Sequence, residues 1–215
     1  MKISILGAGN VGTALASGWR RSGHDITFGV RDPNKRELAA LCEQIGARAL
    51  SIGAAVADAD VVVLAVPWDA VDAVLAATGS LQGRTVIDCT NPIVIDEGLL
   101  KLAIGHTNSG GEIVAAKLPQ AHVVKTLNQI GAELMADNES LENRPLMFVA
   151  GDNDDAKQTT LQLVRELGFE PQDAGSMQAS RLLEPFGMLW INQSIYQGLG
   201  RGWAFGAVRR ARGRS

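Results

Sequence analysis

Tyrosine occurs once in the 215 residues, at Tyr196, and the residue four positions on is Gly200. A Tyr-x-x-x-Lys pair that protonates a carbonyl oxygen is therefore excluded. Cysteine occurs twice, as Cys42 and Cys89, far apart and without a C-x-x-C spacing. That excludes a disulfide framework and a thiolate metal site, and reads as two reduced thiols. Of the three histidines, His106 and His122 lack Cys, Glu or His neighbours at ligand spacing, so no metal site is expected. Long apolar runs are also missing. The stretch Ala54 to Ala59 is interrupted by Asp58 and followed by Asp60, and only four residues separate Lys2 from Gly7, too few for a signal-peptide core. A soluble, cytoplasmic protein without a membrane partner is expected. Basic excess is absent too: 20 Lys and Arg stand against 23 Asp and Glu, a formal charge of -3. This argues against nucleic acid or an anionic membrane as partner. The one basic cluster, Arg209, Arg210, Arg212 and Arg214, reads as a solvated terminus. Asn138-Glu139-Ser140 and Asn192-Gln193-Ser194 match the glycosylation pattern but carry no weight without secretion.

What is present is a short apolar strand, Lys2 to Leu6, running into Gly7-Ala8-Gly9-Asn10-Val11-Gly12 and then a helical stretch. Gly7 permits a sharp turn, Gly9 lets a pyrophosphate approach the main chain, and Gly12 lets helix and strand pack closely. The helix start offers free N–H groups and a positive dipole end to phosphate. A second strand, Asp25 to Val30, closes a β-α-β unit, the context in which this glycine spacing predicts a dinucleotide site.

Strand and helix signals go on alternating. Further strands are expected at Val61 to Val66, Thr85 to Asp88, His122 to Thr126 and Leu146 to Ala150, several of them continuous β-branched runs as in doubly buried strands. Helices are expected at Val11 to Arg21, Asn34 to Ile45, Ala70 to Ala77 and Asp155 to Leu167. The pattern predicts an α/β fold: a Rossmann-type, doubly wound parallel sheet with a ligand crevice at the strand carboxyl ends. Gly105 to Gly111 reads as a loop, and Gly151 to Asp155 as a strand exit and helix cap. Residues 1–175 are expected to form the nucleotide domain, and 176–215 a small C-terminal helical extension. Leu182 to Leu199 reads as a helix with two apolar faces, which needs covering by its own domain or by a second subunit, so a homodimer is expected.

An NAD site places an acidic residue at the end of the second strand. Gly29, Val30 and Arg31 stand there instead. Asp32 before Pro33 is explained as a helix N-cap with proline at N1, and Lys35 and Arg36 then fall in the first turn, where cations oppose the dipole unless an anion is near. Arg31, Lys35 and Arg36 thus converge on a 2′-phosphate, and NADP(H) is the expected cofactor.

Gly7-Ala8-Gly9-Asn10-Val11-Gly12, Gly29-Val30-Arg31-Asp32-Pro33, Ala65-Val66-Pro67-Trp68, Asp88-Cys89-Thr90-Asn91-Pro92 and Val124-Lys125-Thr126-Leu127-Asn128 together resemble the NADPH-dependent reductases of coenzyme F420, an 8-hydroxy-5-deazaflavin. The same module resembles the cytosolic domain of transmembrane metalloreductases. The likeness runs to about Arg210 and includes Glu184 to Trp190. It implies NADPH contacts at Ala8, Gly9, Asn10, Val11, Arg31, Lys35, Val66 and Pro67, with coenzyme F420 as second substrate. Val30 departs from the family's small hydroxyl residue beside the 2′-phosphate.

Hydride transfer between stacked rings needs positioning rather than a strong acid, whereas carbonyl reduction needs a proton donor. Lys125 and Asn128 are the rivals for a catalytic role. They fit the Lys-x-x-Asn pair of β-hydroxyacid dehydrogenases, a strand-end lysine in a surface ion pair, or the lining of a ring-stacking cleft walled by Ala65, Val66 and Pro67. His24 is expected to be a solvated turn residue and Cys89 a buried strand thiol. The reading is an NADP-dependent oxidoreductase acting on a planar small-molecule acceptor. The alternatives are a flavin or metal-chelate reductase, a β-hydroxyacid-type dehydrogenase and a non-catalytic NADPH sensor.

Overall fold

The computed structural model describes residues 1–210; Arg212 and Arg214 of the basic tail lie outside the described residues. Along the chain run β1 (Lys2–Leu6), α1 (Asn10–Arg21), β2 (Asp25–Val30), α2 (Arg36–Ile45), β3 (Arg48–Ser51), α3 (Ile52–Val56) and β4 (Val61–Leu64). They are followed by α4 (Val71–Thr78), β5 (Thr85–Asp88), the strands β6 (Ile93–Asp96) and β7 (Leu99–Leu102), α5 (Gly110–Lys117) and β8 (His122–Lys125). The last elements are α6 (Ala132–Ala136), β9 (Leu146–Gly151), α7 (Asp154–Glu166), β10 (Glu170–Gly175) and α8 (Ser180–Ile191).

Eight strands form one sheet in the order β10-β9-β8-β5-β4-β1-β2-β3, and β6 and β7 pair separately as an antiparallel hairpin. Strand order reverses between β1 and β4: the chain builds β2 and β3 on one side, then β4, β5 and β8 on the other. The crevice outside the carboxyl ends of β1 and β4 is the switch point, where such sheets bind ligands. Alternate side chains of β4 serve the two faces: Val61 and Val63 join the core formed with α1 and α7, and Val62 and Leu64 the core formed with α3 and α4. Trp19 of α1 is fully buried and donates its indole N–H to the Leu163 carbonyl at 2.9 Å, tying α1 to α7.

Four expectations need correction. The sheet is not wholly parallel, because β9 pairs antiparallel with β8 through Val124 and Lys125. Asp32 does not cap α2; its carboxylate accepts from the Asn34 N–H at 3.0 Å in a tight turn, and the helix begins at Arg36 with Lys35 in the N-cap position. The turn delays the helix because Pro33 and Asn34 follow the aspartate directly, so its oxygen meets the nearest amide. His24 is buried rather than solvated, its Nε2 lying 2.6 Å from Glu166 Oε2 across 142 residues of sequence. The C-terminal helix stops at Ile191 and passes through a π turn, Asn192–Tyr196, after which the chain folds back. Trp203 stacks on Trp190 at 6.1 Å and donates to Ser194 Oγ at 3.0 Å, contacts that a straight helix would not allow. Within the loop expected at 105–111, α5 starts at Gly110, capped by Ser109 Oγ, which accepts from the Glu112 N–H. Arg209, exposed as expected of the tail, pairs with Glu170 of β10.

Candidate dinucleotide and hydride-transfer site

The β1 exit shows why glycines stand where they do. Gly7 has φ +104°, and a Cβ there would sit 2.5 Å from the Ala65 carbonyl oxygen and 2.9 Å from Val66 Cγ1. The exits of β1 and β4 are therefore in direct contact. A Cβ on Gly12 would collide with the Gly7 carbonyl, so α1 can start this close to β1 only with glycine there. A Cβ on Gly9, by contrast, meets nothing within 4 Å. Its bare backbone faces open space at the start of α1, whose first turn carries no acidic residue and whose N-cap receives no side-chain bond. Uncapped N–H groups at a positive dipole end make a cradle that fits a pyrophosphate.

The expected cofactor residues gather along this edge. Ala8, Val11 and Val66 are half-buried, Gly9, Asn10 and Pro67 exposed, and Gly12 is buried against β1. Arg31 leaves β2 exposed, and Lys35 and Arg36 stand exposed at the α2 start. The described ion pairs give none of these three cations an acidic partner. Three unpaired cations one strand away from the glycine turn suit a phosphorylated ribose.

Lys125 and Asn128 do not line the crevice. Lys125 is fully buried at the end of β8, so the surface-pair and cleft-lining readings are both corrected. Its ammonium group uses all three donors, on Asp88 Oδ2 at 2.9 Å, Glu184 Oε1 at 3.0 Å and the Thr90 carbonyl at 2.6 Å. Burial by itself lowers the pKa of this ammonium, but the two carboxylates outweigh it and hold it above the ordinary lysine range. Asn128, also buried, donates to Asn91 Oδ1 at 2.9 Å and to the Leu183 carbonyl at 3.1 Å. Leu127 between them adopts φ +57°, a left-handed conformation unusual for leucine. That kink lets Asn128 face the β5 exit, whereas an unbroken strand would alternate sides. Cys89 is buried as expected, and burial together with the Asp88 charge pushes its thiol pKa up, which keeps it inert.

Sequence reasoning missed Asp88 and Glu184 as site residues. Glu184 is 1% exposed and accepts from the Gly110 and Gly111 N–H groups, each at 2.9 Å, besides Lys125. The available signal was a lone acid in the apolar run of α8 and a lone lysine ending a Val-Val strand; two isolated opposite charges in buried elements must find each other.

Fold and crevice together define a Rossmann-type dinucleotide-binding protein whose cation set favours a 2′-phosphate. The family model described as NADP oxidoreductase, coenzyme F420-dependent, matches residues 2–92. A solved structure from Arthrobacter sp. FB24, described as a proposed F420-dependent NADP-reductase, is 30% identical and superposes with a TM-score of 0.90 over 97% of this chain and 100% of that one. A hypothetical protein of Sinorhizobium meliloti is 29% identical, with a TM-score of 0.73 over 84% of this chain and 87% of that one. Rat metalloreductase STEAP3 is 29% identical over 183 residues, 85% of this chain but 36% of that protein, so the chain spans about a third of that relative's length. The chain belongs to the F420-dependent NADP oxidoreductase family. The description of that family is of NADP oxidoreductases.

Proposed function

We propose that this protein transfers hydride between NADP(H) and a planar acceptor, with coenzyme F420 as the acceptor. The observation that carries the reading is the full-length likeness to the Arthrobacter reductase. A physical feature agrees with it. Lys125, Asp88 and Glu184, ionisable groups at the exits of β5 and β8 and on α8, are buried and paired with one another, which takes them out of use as proton donors. Ring-to-ring transfer tolerates that loss; reduction of a carbonyl, as in the β-hydroxyacid reading, does not.

In this reading Gly9, Asn10 and Val11 hold the pyrophosphate through main-chain N–H groups at the start of α1. Arg31 grips the 2′-phosphate and stacks on adenine, with Lys35 and Arg36 adding positive potential. Val66, Pro67 and Trp68 form the wall at the nicotinamide end. When bound, the nicotinamide would supply a hydride, with its two electrons, to the deazaflavin ring, and a single proton from solvent would complete the reduction. The chain's own work is to align the rings at about 3–3.5 Å and exclude water.

Anaerobic mixing with NADPH or NADH and a panel of deazaflavin, flavin and quinone acceptors tests this. Decay of both the nicotinamide and deazaflavin absorbance bands, faster with NADPH, is expected. Turnover with flavin alone would move the protein toward the chemistry named for the metalloreductase relative. Silence with every acceptor would leave an NADPH sensor.

A further inference from the structure

We propose that Asp88, Lys125 and Glu184 form a positioning device for hydride transfer, locking α8 onto the exits of β5 and β8 so that Trp68, Asn91 and Pro92 make a rigid wall for the nicotinamide end. This rests on the strand-end crevice being the NADP(H) site.

Stability does not account for the arrangement. Two carboxylates and one ammonium are buried together, and an apolar cluster of similar volume serves stability equally well or better. The residual negative charge falls at the start of α5, where the Gly110 and Gly111 N–H groups and the helix dipole meet Glu184. What the ions add is geometry. Asp88 Oδ1 accepts from the Thr90 N–H at 2.9 Å and the Thr90 hydroxyl at 2.7 Å, while Lys125 takes the Thr90 carbonyl, so the turn after β5 is held from both sides. The next residue, Asn91, donates to the Asn128 carbonyl at 2.7 Å and accepts from Asn128 Nδ2, joining the β5 exit to the kinked β8 exit.

The clamp has no slack under the wall. A Cβ on Gly110 would lie 3.0 Å from Glu184 Oε1, 3.1 Å from the Trp68 ring and 3.3 Å from Pro92. Carboxylate, indole and proline thus all pack around Gly110, so the seat of Glu184 and the wall share one tightly enclosed neighbour. Lys125 and Glu184 act through these neighbours and touch no reactant, which makes them positioning residues.

Replacing Glu184 by alanine empties a space bounded by two N–H groups and an ammonium, a receptor for formate. In the Glu184→Ala enzyme kcat is expected to fall on the order of 100-fold, the scale of a displacement of about 1 Å. NADPH affinity by calorimetry should stay within about threefold, because the phosphate contacts are untouched. The fluorescence enhancement of bound NADPH should drop, and millimolar formate should restore it together with kcat. Glu184→Gln, which keeps the shape, should lie between wild type and alanine. If Glu184→Ala keeps kcat and the enhancement while wild type binds and turns over, the positioning role is wrong and the proposed function stands. If formate restores thermal stability but not kcat, or if neither variant folds with or without formate, the carboxylate serves stability alone. If wild type itself gives no heat and no fluorescence change with NADPH, the crevice reading fails and this inference with it.

Discussion

At Arg31 the physical case concerns an exposed cation that has no acidic partner among the described residues. Lys35 and Arg36 stand at the α2 start, where a positive charge costs about 0.3–1 kcal/mol against the dipole, and only Glu37 in the first turn offsets them. A 2′-phosphate reverses that sign. A hydrogen bond to a charged group contributes about 1.5–3 kcal/mol. Arg31→Ala should therefore weaken NADPH binding by about 10- to 100-fold at 1.4 kcal/mol per decade. NADH, which lacks the phosphate, should lose far less, so the ratio of the two dissociation constants by calorimetry is the measurement. Val30 offers the converse test. It is half-buried at the end of β2, and Val30→Ser would place a hydroxyl beside the phosphate, adding about 0.5–1.5 kcal/mol of NADPH affinity. An unchanged NADPH/NADH ratio in both variants would move the phosphate site away from β2.

Among the elements, α8 depends most on charge for its seat. Besides the buried Glu184, its first turn holds Arg181, which donates to both oxygens of Glu112 on α5 at 2.8 and 2.6 Å. The Arg181 hydrogen bond, with help from Ser109 and against burial, holds the Glu112 carboxyl below its ordinary 4.5; Arg201 does the same for Glu133. A carboxyl with a depressed folded-state pKa stabilises in full above its unfolded value and withdraws that support as pH falls through the folded one. The urea midpoint should accordingly fall as pH drops below about 4.5, with α8 amides the first to lose exchange protection. Glu112→Gln should start from a lower midpoint and show a shallower acid limb; an identical limb would deny α8 this support. These couplings also mark what the sequence could and could not reveal. The Rossmann half was legible because its signals are local: β-branched runs, glycines at turn spacing and cations after β2. The β6–β7 hairpin was not, since its turn residues Glu97 and Gly98 both have positive φ while glutamate, unlike asparagine, gives no such hint. The direction of β9 leaves no mark in a local pattern. Lys125 read as a cleft-lining, catalytic or surface lysine because Glu184, its buried partner, lies 59 residues away, and His24 read as a solvated residue because Glu166 lies 142 away.

For the whole molecule the open question is what covers the outer side of α8. Leu182 and Leu189 lie seven residues apart, two turns along one face, and are 72% and 46% exposed. Ile195, Tyr196 and Leu199 beyond the helix, and Ile95 and Leu99 on the hairpin, are exposed apolar residues as well. Beside Leu182 runs an open groove of about 780 Å³ that also involves Leu102, Gly105, His106 and Pro185. Each leucine hidden from water contributes about 1.5–3 kcal/mol, so a self-complementary pairing across a two-fold axis could bury several at once. The proposed homodimer uses this face. Sedimentation equilibrium should give twice the chain mass. Leu182→Glu combined with Leu189→Glu should give monomers, because charges placed at the centre of an apolar contact would have to be buried unpaired. NADPH affinity in that double variant should stay within about twofold of wild type, since the proposed phosphate contacts follow β1 and β2 and involve neither leucine. A double variant that sediments like wild type would put the subunit contact elsewhere, and a monomeric wild type would assign the exposed leucines to a different partner.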